Sequence, residues 1–147
     1  MSGALPAPAD LREGDALPPA SYKVDWEALL RFNRYVSGGA DTKNIHTDDE
    51  TARRAGLPGA IAAGRHPVSF IAERMVDLFG TGFVSGGEIE VTFVKPIFPG
   101  ETVRLTARVR ERREGEGGRI RLVLEVALLN GAGEAVTVGA ASGWVDG

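Results

Sequence analysis

Asp41 and His46, five residues apart in "DTKNIHTDDETARRAGLPGAIAAG" (residues 41–64), are the side chains best suited to move protons at neutral pH. A carboxylate and an imidazole on one loop can share acid–base work when both reach the same water. The same two residues would also suit a polar turn between helices, and residue types alone leave both readings open. The chain has one other histidine, His66, at the start of an apolar run. Without cysteine, disulfides, thiolate metal sites and cysteine nucleophiles are excluded. Two histidines leave little for zinc, so no metal is expected.

A proton-transfer pair needs a frame, and the local signals supply one. Thr47-x-x-Glu50 reads as a capping box, Asp48 and Asp49 complement the positive helix end, and Gly56 offers a stop. His46 is therefore expected just outside the N-terminus of a short helix. Upstream, "DWEALLRFNRYV" predicts a helix capped by Asp25, with Trp26, Leu29, Leu30 and Val36 near one face. Ser37, Gly38 and Gly39 end it. Downstream, "RHPVSFIAERMVDLFG" predicts a third helix, with Pro67 in its first turn. Val68, Ile71, Ala72, Met75, Leu78 and Phe79 recur at helical spacing and make a broad apolar face over 67–79.

The period then changes. "GEIEVTFVKPIF", "ETVRLTARVRERRE", "GRIRLVLEVALLN" and "EAVTVGAASGWV" are strand-like runs separated by "PGE", "GEGG" and "NGAGE". In the second run Val103, Leu105, Ala107 and Val109 alternate with Arg104, Thr106, Arg108 and Arg110, as on a half-exposed strand. The connections are too short for crossover helices, so an antiparallel meander is expected. A short extended segment, "ALPPASYKV", precedes the helices. A sheet with one apolar face must cover it, and the 67–79 helix is the available filling. The expected class is α+β: a hot dog fold, with an antiparallel sheet of about five strands wrapped around a long central helix.

Composition narrows the rest. A chain of 147 residues suits one domain, expected over residues 11–147 behind a flexible Pro- and Ala-rich segment, residues 1–10. The net charge of -3 gives no basic surplus for nucleic acid. Arg108, Arg110, Arg112 and Arg113 read as a solvated strand face and turn. No run approaches the roughly 18 apolar residues of a membrane helix, and no secretory signal is visible. A cytoplasmic protein is expected. Exposed sheet edges favour pairing of two copies, so a homodimer is expected.

At this point the sequence resembles the MaoC-like dehydratases, the group that includes the R-specific enoyl-CoA hydratases. The resemblance covers about residues 11 to 145 and is carried by "ADTKNIHTDDETARRAGLPGAIAAG" and "VTFVKPIFPGETV". The family loop reads Asp, any residue, Asn, Pro, an apolar residue, His; Asp41, Ile45 and His46 match it in register. Lys43 replaces the Asn and Asn44 the Pro. The Ser37 to Asp41 interval is two residues longer than usual. Ala63-Gly64 stands where the family has His-Gly.

The resemblance implies hydration or dehydration of an enoyl thioester, enoyl-CoA to (3R)-hydroxyacyl-CoA. Asp41 and His46 would be the acid–base pair, and the N–H of Gly64 would receive the thioester oxygen. Lys43, Asn44, Arg65 and His66 are candidate substrate-binding residues, Lys43 toward a coenzyme phosphate or toward Asp41. The substrate would be an acyl-CoA or acyl-carrier-protein thioester, and no resident cofactor is expected. Two other functions fit the fold: a thioesterase, with an Asp activating water against the carbonyl, and a non-catalytic subunit or acyl-binding protein.

Overall fold

The computed structural model describes residues 4–39 and 42–146. Strand β1 (Ala20–Val24) leads into helix α1 (Trp26–Val36), the short α2 (Asp49–Arg54), the long α3 (Arg65–Phe79) and the single turn α4 (Thr81–Val84). Four strands follow: β2 (Glu88–Phe93), β3 (Glu101–Glu114), β4 (Ile120–Leu129) and β5 (Ala135–Val145). They form one antiparallel sheet in the order β1-β3-β4-β5-β2. This is the expected α+β hot dog architecture of five strands and a central helix.

Helix α3 fills the sheet as its apolar spacing requires. Ile71 and Met75 are fully buried, and Leu78 and Phe79 nearly so, in one core with Val103, Leu105, Leu122, Leu124, Val126, Leu128 and Val136 from the strands. Burial of each such side chain is worth about 1.5–3 kcal/mol. A register shift between Val109 and Glu111 marks an irregularity where β3 pairs with β4. Bulges of this kind bend and twist a strand, which suits a sheet that must curve around a helix.

Three sequence expectations are corrected. The four later strands do not form a meander: only β3, β4 and β5 do, whereas β2 pairs with β5 at the far edge. The run "GEIEVTFVKPIF" accordingly stops being strand at Phe93, and residues 94–100 carry the chain across to β3. Alternation of apolar residues marks a strand but does not name its neighbour. Pairing of β2 with β5 requires Gly139, because a Cβ there would lie 2.1 Å from the carbonyl oxygen of Glu90.

Second, α1 does not bury the apolar face read from its sequence. Asp25 caps it as expected, accepting from the Ala28 N–H at 2.8 Å, and Leu29 is buried. Trp26, Leu30 and Val36 remain 38%, 41% and 44% exposed. Third, of the four arginines expected to be solvated, Arg112 is largely withdrawn from solvent while Arg108 is exposed as expected, and both hold the N-terminal segment. Arg108 donates to the carbonyl of Gly14, and Arg112 to those of Ala9 and Leu11. Pro8–Asp10 form a 3-10 turn there, and Leu11 is buried.

Among the described residues, no helix is long and apolar enough to cross a membrane.

Candidate active site

The loop that carries His46 is built from side-chain hydrogen bonds to backbone. The Asn44 side chain accepts from the His46 N–H at 2.8 Å and donates to Asn33 Oδ1 on α1 at 2.9 Å. The Asn44 N–H donates to Thr47 Oγ1 at 3.0 Å, and Thr47 Oγ1 donates to the Thr42 carbonyl at 2.6 Å. Proline, which the family resemblance expects at 44, would remove that N–H and supply a fixed φ instead. Asn44 reaches the same end by tying the turn to itself and to α1. It is a scaffold of the loop, and it is absent from the walls of the cavities described below.

The capping box is one residue out. Asp48 is the N-cap of α2, accepting from both the N–H and the hydroxyl of Thr51 at 3.0 and 2.6 Å. Those bonds hold the Asp48 carboxyl below the ordinary carboxylate range. Thr47 is spent inside the loop instead. Asp49 accepts from the Ala60 N–H at 2.9 Å and so fixes the segment that follows α2.

That segment orients the imidazole. His46 Nδ1 lies 2.9 Å from the Ile61 carbonyl oxygen, which can only accept, so Nδ1 carries the proton. In the neutral ring that tautomer puts the lone pair on Nε2, the form a general base requires. The Ile61 N–H donates back to the Ile45 carbonyl at 3.0 Å, and the next N–H, of Ala62, donates to the Ile97 carbonyl at 2.8 Å. Three chain segments are thus laced together under the histidine.

His46 borders two cavities. The larger, about 320 Å³, is walled by Leu57, Ile61, Gly64, Pro67, Phe93 and Ile97 among others, with Lys95 and Thr137 as polar members. Gly64 is the N-cap of α3. Among the described residues none accepts from the N–H of Gly64 or Arg65, the free donors of a helix start. A Cβ on Gly64 would meet the Phe93 ring at 2.8 Å. The smaller, about 40 Å³, lies between α1 and the start of α3 and is lined by Leu29, Phe32, Asn33, Val36, Ala63 and His66 as well as His46.

The predicted residues therefore divide. His46 and Gly64 share one cavity, and His46 and His66 share the other. Lys43 and Arg65 are exposed and line neither. Asp41 lies outside the described residues. Sequence reading passed over Asn33, Phe93, Lys95 and Ile97. Lys95, within a run taken for strand, stands at the larger cavity and pairs with Glu134. Among the described residues, no group of three or more His, Asp or Glu side chains could hold a metal ion. A broader groove of about 820 Å³ crosses the solvent face of β3 and β4, among Arg104, Arg108, Arg110 and Glu125, and holds none of the predicted residues.

His66 is buried, and that burial pushes its pKa below the ordinary 6.5. The folded protein then binds a proton there less readily than the unfolded chain does. This contribution to stability is intact above pH 6.5 and is lost as pH falls toward the depressed folded value. Between about pH 7.5 and about pH 5, the wild-type Tm should fall by more than that of His66→Leu. Parallel Tm curves for the two proteins would contradict a neutral buried imidazole.

The profile of the MaoC like domain matches residues 18–128. A curated relative from Clavibacter michiganensis subsp. michiganensis, called a UPF0336 protein, is 30% identical over 129 residues, 82% of this chain and 84% of that one. The crystal structure of a MaoC-like dehydratase from Rhodospirillum rubrum superposes with a TM-score of 0.74 at 25% identity, covering 98% of this chain and 97% of that chain. An R-hydratase from Pseudomonas aeruginosa superposes at 0.69 and 23% identity, over 92% and 83% of the two chains, and shares the fold.

Proposed function

The chain belongs to the MaoC-like domain family, and from that premise we propose that it hydrates an enoyl thioester to the (3R)-hydroxyacyl thioester, or runs the reverse dehydration. The observation that carries this reading is the His46 ring, held at Nδ1 by the Ile61 carbonyl, on the same cavity as Gly64, from whose N–H none of the described residues accepts.

In the proposed reaction Asp41 and His46 hold one water between them. A proton passes from the water to the pair as the water oxygen bonds to the β carbon. The π electrons of the alkene move through the α carbon onto the thioester oxygen. The Gly64 N–H, at the positive end of α3, meets that developing charge. The enolate then collapses as the α carbon takes a proton from the pair. Water is consumed whole, and no resident cofactor enters the scheme. The acyl carrier, coenzyme A or a carrier protein, would lie toward the cations at the cavity mouth. Lys95 lines the cavity; Lys43 and Arg65, exposed and outside its walls, are further cations for a phosphate.

We further propose a cytoplasmic homodimer built on the single 11–147 domain. Helix α1 leaves Trp26, Leu30 and Val36 exposed, and β2 has a strand partner on one side only. An open edge and, separately, uncovered apolar side chains each favour a second copy. Light scattering at micromolar protein should give twice the chain mass; a monomer would count against the dimer.

Crotonyl-CoA supplied to the pure protein tests the reaction. Loss of the enoyl absorbance with formation of (3R)-hydroxybutanoyl-CoA is expected. Release of free thiol would show a thioesterase instead, and binding without turnover a non-catalytic subunit. Gly64→Ala should lower kcat/KM by about 10–100-fold, because its Cβ would occupy the space of the Phe93 ring and displace the substrate carbonyl. Phe93 is half-exposed and free to swing, so the Tm of this variant should change little. Unaltered kcat/KM would remove Gly64 from the site.

A further inference from the structure

His66 is the one described residue with a buried side-chain nitrogen or oxygen, Nδ1, that has no hydrogen-bond partner. The residue is 7% exposed. Buried polar atoms in folded proteins nearly always find a partner, since leaving one unmet costs the full desolvation of that atom. The ring is held in plane by its neighbours. It is stacked against Phe32 of α1 at 4.5 Å between centroids, and against Phe70, one turn along α3, at 5.4 Å. Phe70 is stacked in turn on Tyr22 of β1 at 4.5 Å. Two rings thus hold the plane of the imidazole, and a third backs one of them.

The ring borders the smaller cavity, and so does His46. A substrate held with its reacting carbons against His46 has this slot immediately beside it. The slot's 40 Å³ admits a few atoms, no long chain. Its walls are mostly apolar, from Leu29, Phe32, Val36 and Ala63, with His66 and Asn33 as the polar members. Such a lining suits a short carbon stub that ends in one hydrogen-bonding group.

We infer that the slot is an acyl subsite selecting a short enoyl thioester that bears a hydroxyl next to the reacting double bond, with His66 as the specificity-determining residue. A hydroxyl both donates and accepts, so it satisfies a neutral imidazole nitrogen in either tautomer. Burial keeps the ring neutral, which disfavours a carboxylate as the recognised group. This inference rests on the hydratase reading for its reaction, and on the slot alone for its selectivity.

The test compares two isosteric thioesters of coenzyme A, 4-hydroxybut-2-enoyl and pent-2-enoyl, which differ by a hydroxyl in place of a methyl. Wild-type protein should favour the hydroxylated substrate in kcat/KM by about 10-fold or more, because a site built around a hydroxyl leaves its own polar atom unmet by the methyl analogue. His66→Leu should reverse the preference. Equal rates in the wild type, or preference for pent-2-enoyl, would overturn the inference without any variant. A hydroxyl preference that survives in His66→Leu would also overturn it. Calorimetric binding of the saturated 4-hydroxybutanoyl and pentanoyl thioesters separates the two levels. Selective binding without turnover of either enoyl thioester would sink the hydratase reading and keep the subsite; turnover of both without selectivity would do the opposite.

Discussion

His46→Gln should lower the hydration rate by at least about 100-fold, the low end of what positioned proton transfer contributes. Glutamine fills similar space and can still donate to the Ile61 carbonyl, so the loop keeps that anchor. It has no basic nitrogen to offer a water. The loss should therefore appear in kcat, with KM changed far less. The Tm should stay within a few degrees of wild type, because the loop is also held by Asn44, Thr47 and the Ile61 N–H. Asp41→Asn should give a loss of the same order. If Asp48→Asn proved the damaging change instead, the register of the proposed pair would be wrong. Asp48 is occupied in capping α2 through Thr51, so its loss should cost helix stability and spare the chemistry.

Met75→Asp should abolish folding. Met75 is fully buried on α3, in the same core as strand residues such as Leu124 and Val126. A carboxylate placed there must be desolvated without a partner, or take up a proton, and either route costs several kcal/mol. A domain of this kind has about 5–15 kcal/mol of stability in total. Loss of the side chain's own packing adds to the deficit. The expected result is insoluble protein, or a far-UV spectrum without a cooperative thermal transition. Met75→Leu, close in volume, should lose less than about 1.5 kcal/mol and keep a sharp transition. A soluble, cooperatively melting Met75→Asp would mean that this face of α3 is not the core.

The difference between what was legible in the sequence and what was not follows the range of the interaction. Helix α3 and strand β3 were readable because burial writes a periodic pattern along a single segment: Ile71, Met75 and Leu78 at helical spacing, Val103 to Val109 in alternation. The Asp25 cap was readable because it acts three residues away. The partner of β2 was not, since pairing across the sheet leaves no mark on either strand's period. The apolar side of α1 misled for a related reason: composition shows that a face wants covering and is silent on whether the same chain covers it.

At the site, His46 and Gly64 were singled out through a motif, and both line one cavity. The role of Asn44 was missed because it depends on Asn33, eleven residues away on another element. His66 carried a usable signal. Phe70 follows it by four residues, the spacing at which side chains on a helix stack. Phe32, the other neighbour, could be found only in three dimensions.

The imidazole of His46 is held by a main-chain oxygen. Every amino acid at position 61 would present that same oxygen, whatever its side chain, while the side chain at 61 forms part of the larger cavity's wall. Heredity can therefore rewrite the shape of the chamber at this position and leave the base untouched. Isoleucine to valine, leucine or methionine would reshape that wall, with no intermediate form in which the histidine loses its anchor. A lineage carrying this loop could diversify its diet one codon at a time.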